Sequence, residues 1–336
     1  MSKPYIGGQA VLEGVMMRSP KSFVVAVRRP DGSIAVREQQ WTTFLPGLKF
    51  LRWPLLRGAV VLLESLHNGY SALMFSAEQA LPGEEGKPGQ AADKGLGSSA
   101  LLAISTLVMV GLFIAAPHLL TYAVGRLLGL NLDTQGFAFH LVDGFFRVAI
   151  LLGYISAVAR TAEMKRVFQY HGAEHKAIWA YESGLPLTVD SARGFTTLHP
   201  RCGTSFLFVV VMVAVLIHVA IFPFVPRLHE NALVNQLLMV LIKVPMALPI
   251  AGVAYELQRL SARPNSPKPI QWLVRPGMWM QNITTREPTD AQLEIAVLAL
   301  ARSLAREEGR AAAPDGLAVY ADFQSAAALQ PVPSPA

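Results

Sequence analysis

The sequence predicts a mainly α-helical, polytopic membrane protein. It should have about four transmembrane helices, a small N-terminal β-hairpin region and cytoplasmic helical segments. Three observations predict this. The composition is 52% hydrophobic and only 15% charged, where a soluble domain carries about 25% charge. Four windows are apolar over at least the roughly 20 residues that a helix needs to cross the hydrocarbon core. Of the 29 Lys and Arg residues, 25 fall in three segments that four spans would place on one side of a membrane.

The windows run from Ala100 to Gly125, Phe137 to Val158, Ser205 to Pro226 and Ala232 to Tyr255. The first has no Asp, Glu, Lys or Arg. The second has only Asp143 and Arg147, the third only His218, and the fourth only Lys243. The segment before the first window carries 11 basic residues, the loop 159–204 carries 6 and the tail after Tyr255 carries 8, against Arg126 and Arg227 in the opposite loops. By the positive-inside rule both termini and the middle loop face the cytoplasm. The net charge of +6 then belongs to loops beside anionic lipid. No basic stripe with interleaved aromatics is present, so nucleic acid is not expected as a partner. The N-terminus does not read as a signal peptide. The single Cys202 excludes an intramolecular disulfide.

Outside the windows, residues 1–99 read as a cytoplasmic region. Ser22 to Val27 and Ile34 to Glu38 flank Asp31-Gly32, which has hairpin turn chemistry. Trp53 to Leu81 reads as an amphipathic helix, with Pro54 in its first turn and Glu64, His67, Ser71 and Glu78 at helical spacing. It lies along the membrane surface, packs its polar stripe toward a site, or enters partway. Residues 82–99 read as a Gly/Pro-rich linker. The membrane domain spans 100–255 and holds the loop 159–204. In that loop Arg160 to Ser183 continues the second span as a helix that Gly184 stops, and Leu185 to Thr204 is irregular. Residues 256–308 read as a cytoplasmic helical segment, its last helix capped by Thr289 or Asp290. The Ala/Pro-rich tail 309–336 is expected to be disordered.

The chemistry concentrates in two places. In Tyr170-His171-Gly172-Ala173-Glu174-His175-Lys176, His171 and His175 share one helix face at a separation of four. Two such imidazoles can grip one metal ion. Glu174 lies near that face as a candidate general base, in the His-x-x-Glu-His order of some zinc peptidases. The ordinary alternative is a pair of surface histidines. In His199-Pro200-Arg201-Cys202, a His and a Cys two residues apart match the spacing of zinc ligand pairs. The ordinary fate of such a thiol is a buried small side chain. Four ligands would close the site, as in structural zinc, whereas three would leave a position for substrate. The sequence leaves both open.

Gly7-Gly8-Gln9-Ala10-Val11-Leu12-Glu13-Gly14-Val15-Met16-Met17-Arg18 is a third signal. Its glycines permit tight backbone geometry, and Glu13, Arg18, Glu64 and His67 are candidates to join the site. It matches no phosphate loop. Charged residues within spans are functional by default. Asp143 and Arg147, four apart, can neutralise each other. Lys243 sits mid-window, followed by the helix-kinking Pro245 and Pro249.

GGQAVLEGVMMR, YHGAEHKAIWAYESG, HPRCGTSFL and PGMWMQNITTREP resemble the YqhQ-like family of bacterial membrane proteins, which are predicted metal-dependent enzymes. The resemblance covers roughly residues 4 to 308. It implies a multi-span inner-membrane protein with His171, Glu174, His175, His199 and Cys202 as the metal site and the Glu13 region as a companion motif. The resulting expectation is a cytoplasm-facing, hydrolytic zinc enzyme. His171, His175, His199 and Cys202 would be ligands, and Glu174 and Glu13 catalytic. The bilayer is its partner, and its substrate is lipid-like or a membrane peptide. A metal-closed scaffold and a small transporter using Lys243, Asp143 and Arg147 are the alternatives.

Overall fold

The computed structural model describes residues 3–44, 46–80, 104–105, 107–130, 132–261, 266–310 and 315–328. The linker expected at 82–99 lies outside them.

The chain opens with four antiparallel strands, β1 (Gly7–Val11), β2 (Gly14–Arg18), β3 (Ser22–Arg28) and β4 (Ile34–Gln40). The β3–β4 hairpin turns where Asp31-Gly32 predicts it, with Gly32 at φ +87. β1 and β2 are strands where the sequence suggested only a glycine-rich turn. Gly14 explains the glycine there, because a side chain would collide with the Ala26 carbonyl of β3. The helix α1 (Leu56–Ala80) follows.

Among the described residues, four helices are long and apolar enough to cross a membrane. They are α2 (Leu107–Leu127), which contains the π-helical turn Gly111–Ala115, α3 (Phe137–Val158), α6 (Gly203–Ile221, continued by one 3₁₀ turn to Phe224) and α7 (Ala232–Ser261). Between α3 and α6 lie α4 (Ala162–Glu182) and the short α5 (Val189–Arg193). After α7 come α8 (Lys268–Thr284) and α9 (Asp290–Glu307). The fourth apolar helix thus runs six residues past the expected Tyr255, to Ser261. α9 is capped by Thr289 in a capping box with Gln292.

The tail is not wholly disordered. Gly316–Tyr320 forms β5, which pairs with β4 to complete a five-stranded sheet in the order β1-β2-β3-β4-β5. A short helix, α10 (Phe323–Ala327), follows. Composition argued for disorder, but the pairing is long-range. β4 offers an open edge, Asp315 ion-pairs with Arg306, and Arg302 donates to the Tyr320 hydroxyl at 3.1 Å.

The sheet is covered on both faces, which is why β3 reads as the unbroken run Phe-Val-Val-Ala-Val. Val15, Met17, Val24, Ala26, Ile34 and Val36 pack against α4 and α9. Val11, Met16, Phe23, Val25, Val27 and Ala35 pack against Ala72 and Phe75 of α1. The first turns of α1 instead pack on α7. There Gly58 meets Gly252 and Tyr255, and Arg57 Nε donates to Glu256 Oε1 at 2.6 Å. α8 lies along α6, where Gly277 abuts Ser205 and the Ser205 hydroxyl donates to the Gly277 carbonyl at 2.9 Å. α1 and α8 therefore join the sheet unit to the apolar helices.

Candidate metal centre

α4 carries the densest functional signal, and its ends are well specified. Thr161 caps its start, and Gly184 at φ +75 ends it. Between them His171, Gly172, Ala173, Glu174, His175 and Lys176 are all buried. These histidines are therefore not a surface pair. Gly172 lets the segment after α8 lie against α4, since a side chain would collide with the Arg286 carbonyl. The Arg286 N–H donates to the Phe168 carbonyl at 2.9 Å, and Lys176 pairs with Glu287.

Cys202 enters from the other side, as the N-cap residue of α6. Its Sγ lies 3.1 Å from His171 Nε2. One donor atom from each of His171, His175 and Cys202 falls within 4.8 Å of the others. The two rings are 4.4 Å apart, centroid to centroid. Each imidazole is oriented by a backbone carbonyl. His171 Nδ1 donates to Thr284 at 2.7 Å, and His175 Nδ1 donates to Thr197 at 2.5 Å. A carbonyl can only accept, so Nδ1 carries the proton in both rings and Nε2 is the nitrogen left for a ligand. Carbonyl-oriented imidazoles of this kind are what metal-binding histidines require.

The electrostatics agree with a soft donor set. Burial raises the Cys202 thiol, but the neighbouring His171 charge and hydrogen bond outweigh it and hold the thiol well below its usual range. Burial lowers His171, but the thiolate beside it wins and brings the imidazole up to about 9. The proton these two groups share between His171 Nε2 and Cys202 Sγ would be released when a metal ion took both atoms. Nitrogen and sulfur donors at this spacing could hold a metal ion, and three of them would leave one position of a tetrahedral site free.

Glu174 is fully enclosed beside this group. Burial pushes its carboxyl up to about 8, opposed by His171 and reinforced by Cys202. It accepts a backbone hydrogen bond from Ala10, and its Oε2 has no hydrogen-bond partner. The glycine motif of β1 makes room for it, because a Cβ on Gly8 would sit 2.6 Å from Glu174 Oε1. A carboxyl group that changes protonation near neutrality suits proton transfer.

The other expected residues lie elsewhere. His199 is not among the three clustered donors. Its ring sits 5.5 Å from that of His175 and 4.9 Å from that of Trp179, and its Nε2 is 3.5 Å from Glu182 Oε2. Gln281 of α8 clamps its backbone, accepting from N–H at 2.8 Å and donating to C=O at 2.7 Å. Glu13 stands at the β1–β2 turn with φ +51, ion-paired with Arg166 and 3.4 Å from the Tyr170 hydroxyl. Glu64 accepts from Arg18 at 2.6 Å, from the Phe44 N–H at 2.9 Å and from Thr43, which makes it a brace between α1 and the strands. His67 packs edge-on against Phe44. The residues that orient the imidazoles, Thr197 and Thr284, act through backbone carbonyls, for which the sequence has no letter.

The family described as "Protein of unknown function (DUF1385)" matches residues 53–306, a stretch that includes the whole triad. The chain is 33% identical over 303 residues to the "Uncharacterized protein YqhQ" of Bacillus subtilis (strain 168), covering 88% of this chain and 90% of that protein. No solved structure matches. The chain belongs to the DUF1385 family.

Proposed function

We propose that this DUF1385 chain is a polytopic inner-membrane zinc enzyme, hydrolytic in chemistry, whose site faces the cytoplasm. On this reading α2, α3, α6 and α7 cross the bilayer, and the concentration of basic residues in three segments supports a cytoplasmic side for both termini, α4 and the triad. The observation that carries the reading is the pair of buried imidazoles whose Nδ1–H groups are spent on carbonyls, with a thiolate at 3.1 Å.

His171, His175 and Cys202 would hold the ion, which supplies Lewis-acid polarisation of the scissile carbonyl or phosphoryl group. Glu174 handles the proton: it takes one from the attacking water and returns it to the leaving group. Its burial favours that exchange near neutral pH. The Gly8 backbone leaves space for the carboxyl group, and the Ala10 N–H fixes one of its oxygens. Because the thiolate ligand caps a spanning helix, the site lies at the level of the lipid headgroups. A lipid-like or membrane-peptide substrate follows from that position.

The test is metal content per chain of the full-length protein in detergent, by elemental mass spectrometry. Wild type should carry about one zinc, as the single three-donor site requires. His171→Ala/His175→Ala should carry none, and Glu174→Gln should keep the metal. Absence of zinc from wild type after reconstitution would overturn the reading. His199, one ring away from His175, favours one rival. As a fourth ligand it would make the site structural, and its removal would then cost the metal too.

A further inference from the structure

The apolar helices enclose a second polar cluster that the metal centre does not use. Lys243 of α7 donates to His118 Nδ1 of α2 at 2.9 Å and to Asp143 Oδ2 of α3 at 3.1 Å. Arg147 of α3 donates to the same Asp143 oxygen at 3.1 Å and to His218 Nδ1 of α6 at 3.0 Å. All five side chains are at most 5% exposed. Asp143 and Arg147 do pair, as the sequence suggests, but they share the carboxylate with a lysine from another helix. Each of the four apolar helices contributes at least one member.

We propose that this cluster is a proton-transfer site and that the membrane unit carries protons across the bilayer, with Lys243 and His118 as the exchanging pair. The first argument is charge. Lys243 and Arg147 are obligate donors here, so His118 and His218 accept at Nδ1 and are neutral. Two cations then face one carboxylate in hydrocarbon, where an unbalanced charge is costly. Loss of one proton from Lys243 leaves the balanced Arg147–Asp143 pair. The cluster therefore has two states that differ by one proton.

The second argument is connectivity. In the transfer step the proton leaves Lys243 Nζ along the hydrogen bond to His118 Nδ1, and the N–H electron pair stays on the lysine as a neutral amine. His118 releases the proton held on its Nε2 to water, so the total charge is conserved. Toward the α2–α3 loop, polar groups continue. His140 Nε2 donates to the Thr134 carbonyl at 2.8 Å, and Asn235 Nδ2 donates to the Thr134 hydroxyl at 3.3 Å. His140 Nδ1, His218 Nε2 and Asp143 Oδ1 are buried without a hydrogen-bond partner, which suits a relay whose members change partners. Under the orientation proposed above, this loop is extracytoplasmic.

The third argument is where the helices can bend. Toward the other face the way is closed by Val209, Val213, Ile250 and Ala254, and by Leu151 and Phe208. The two helices that hold the exchanging pair are the irregular ones. α2 has a π-helical turn at Gly111–Ala115, just before His118, and α7 has Pro245 and Pro249 just after Lys243. Such features mark functional breaks in a helix. The groups facing Lys243 from its neighbours are His118 on α2, Asp143, Arg147 and His140 on α3, and His218 on α6.

The test uses full-length protein in vesicles of phosphatidylethanolamine and phosphatidylglycerol, with a pH-sensitive dye inside. A potassium diffusion potential set by valinomycin drives the protons. Wild type should acidify the lumen several-fold faster than protein-free vesicles. Lys243→Met and His118→Gln should return the rate to the protein-free level. Lys243→Met keeps Asp143 paired with Arg147, and His118→Gln keeps an acceptor that cannot hold the proton. A single symmetric size-exclusion peak and a wild-type thermal melt in detergent show that each variant is folded. A wild-type rate equal to that of empty vesicles, or an undiminished rate in either folded variant, overturns the proposal. Neither outcome depends on the metal centre being an enzyme.

Discussion

Gly172→Ala tests whether the tail segment after α8 sets the geometry of the metal centre. The substitution sits one residue from His171, inside α4. Helix propensity alone would make it stabilising by about 0.5–1 kcal/mol. The structure predicts the opposite sign, because the new methyl would collide with the Arg286 carbonyl, which is backbone and cannot rotate away. Overpacking of this kind costs about 1–3 kcal/mol. The easiest relief is for the 284–287 segment to retreat. That breaks the Arg286-to-Phe168 hydrogen bond of 2.9 Å and withdraws the Thr284 carbonyl from His171 Nδ1. Loss of such an orienting partner lowers metal affinity about 10–100-fold. Competition with a chromogenic chelator in detergent measures the affinity, and tryptophan fluorescence on heating measures the stability. Gly153→Ala in α3 is the control, since nothing lies within 4 Å of its added Cβ. A Gly172→Ala protein with wild-type zinc affinity and undiminished thermal stability would refute the reasoning.

Four further outcomes follow. Cys202→Ser should weaken zinc binding at least about tenfold, the scale of a disturbed ligand shell, and should abolish the sulfur-to-metal charge-transfer absorption of the cobalt-substituted protein. His199→Gln should leave zinc stoichiometry unchanged, because its ring stands outside the three clustered donors; loss of the metal would establish a fourth ligand. Burial raises the Glu64 carboxyl, but its hydrogen bonds from Thr43, Phe44 and Arg18 outweigh this and hold it below its ordinary value of 4.5. The brace it forms is therefore fully present above that value and is lost as pH falls through the lower, folded one. The stability difference between wild type and Glu64→Gln should shrink over that acid range in a pH series of thermal melts. Deleting residues 315–336 should lower stability and promote self-association, read by size exclusion, because it strips β5 from β4 and leaves an open strand edge.

Much of this architecture is legible in the sequence where one residue type settles a local question. Charge-poor windows mark the four apolar helices, and one of them, Phe137–Val158, is matched to the residue. Asp31-Gly32 marks the hairpin, and Gly184 the end of α4. His171, His175 and Cys202 are the only such triad among the described residues, and their spacing finds them. What escapes is what depends on distant partners. β1 and β2 escape because a sheet covered on both faces loses its alternation, and glycines chosen for close approach resemble a turn. β5 escapes because an edge 280 residues away in sequence recruits it. His199 stands outside the three clustered donors, since pair spacing cannot say which way a ring turns, and Gln281, which holds its backbone, lies in a motif with no chemical signature of its own. Asp143, Arg147 and Lys243 are visible as isolated charges, but the histidines of α2 and α6 that connect them are single letters in apolar runs.

The position of Cys202 has a consequence for how the third apolar helix can vary. A membrane anchor tolerates insertions and deletions, because any sequence of adequate length and hydropathy will hold the chain in lipid. Here the sulfur sits on the N-cap residue of that helix, so every residue added within Gly203–Ile221 would advance the sulfur by about 1.5 Å and turn it by about 100° relative to the far end. The helix is therefore a ruler. On the proposed spanning arrangement its residue count would tie the thiol to a fixed depth in the bilayer, and a membrane of different thickness would be felt as strain at that thiol.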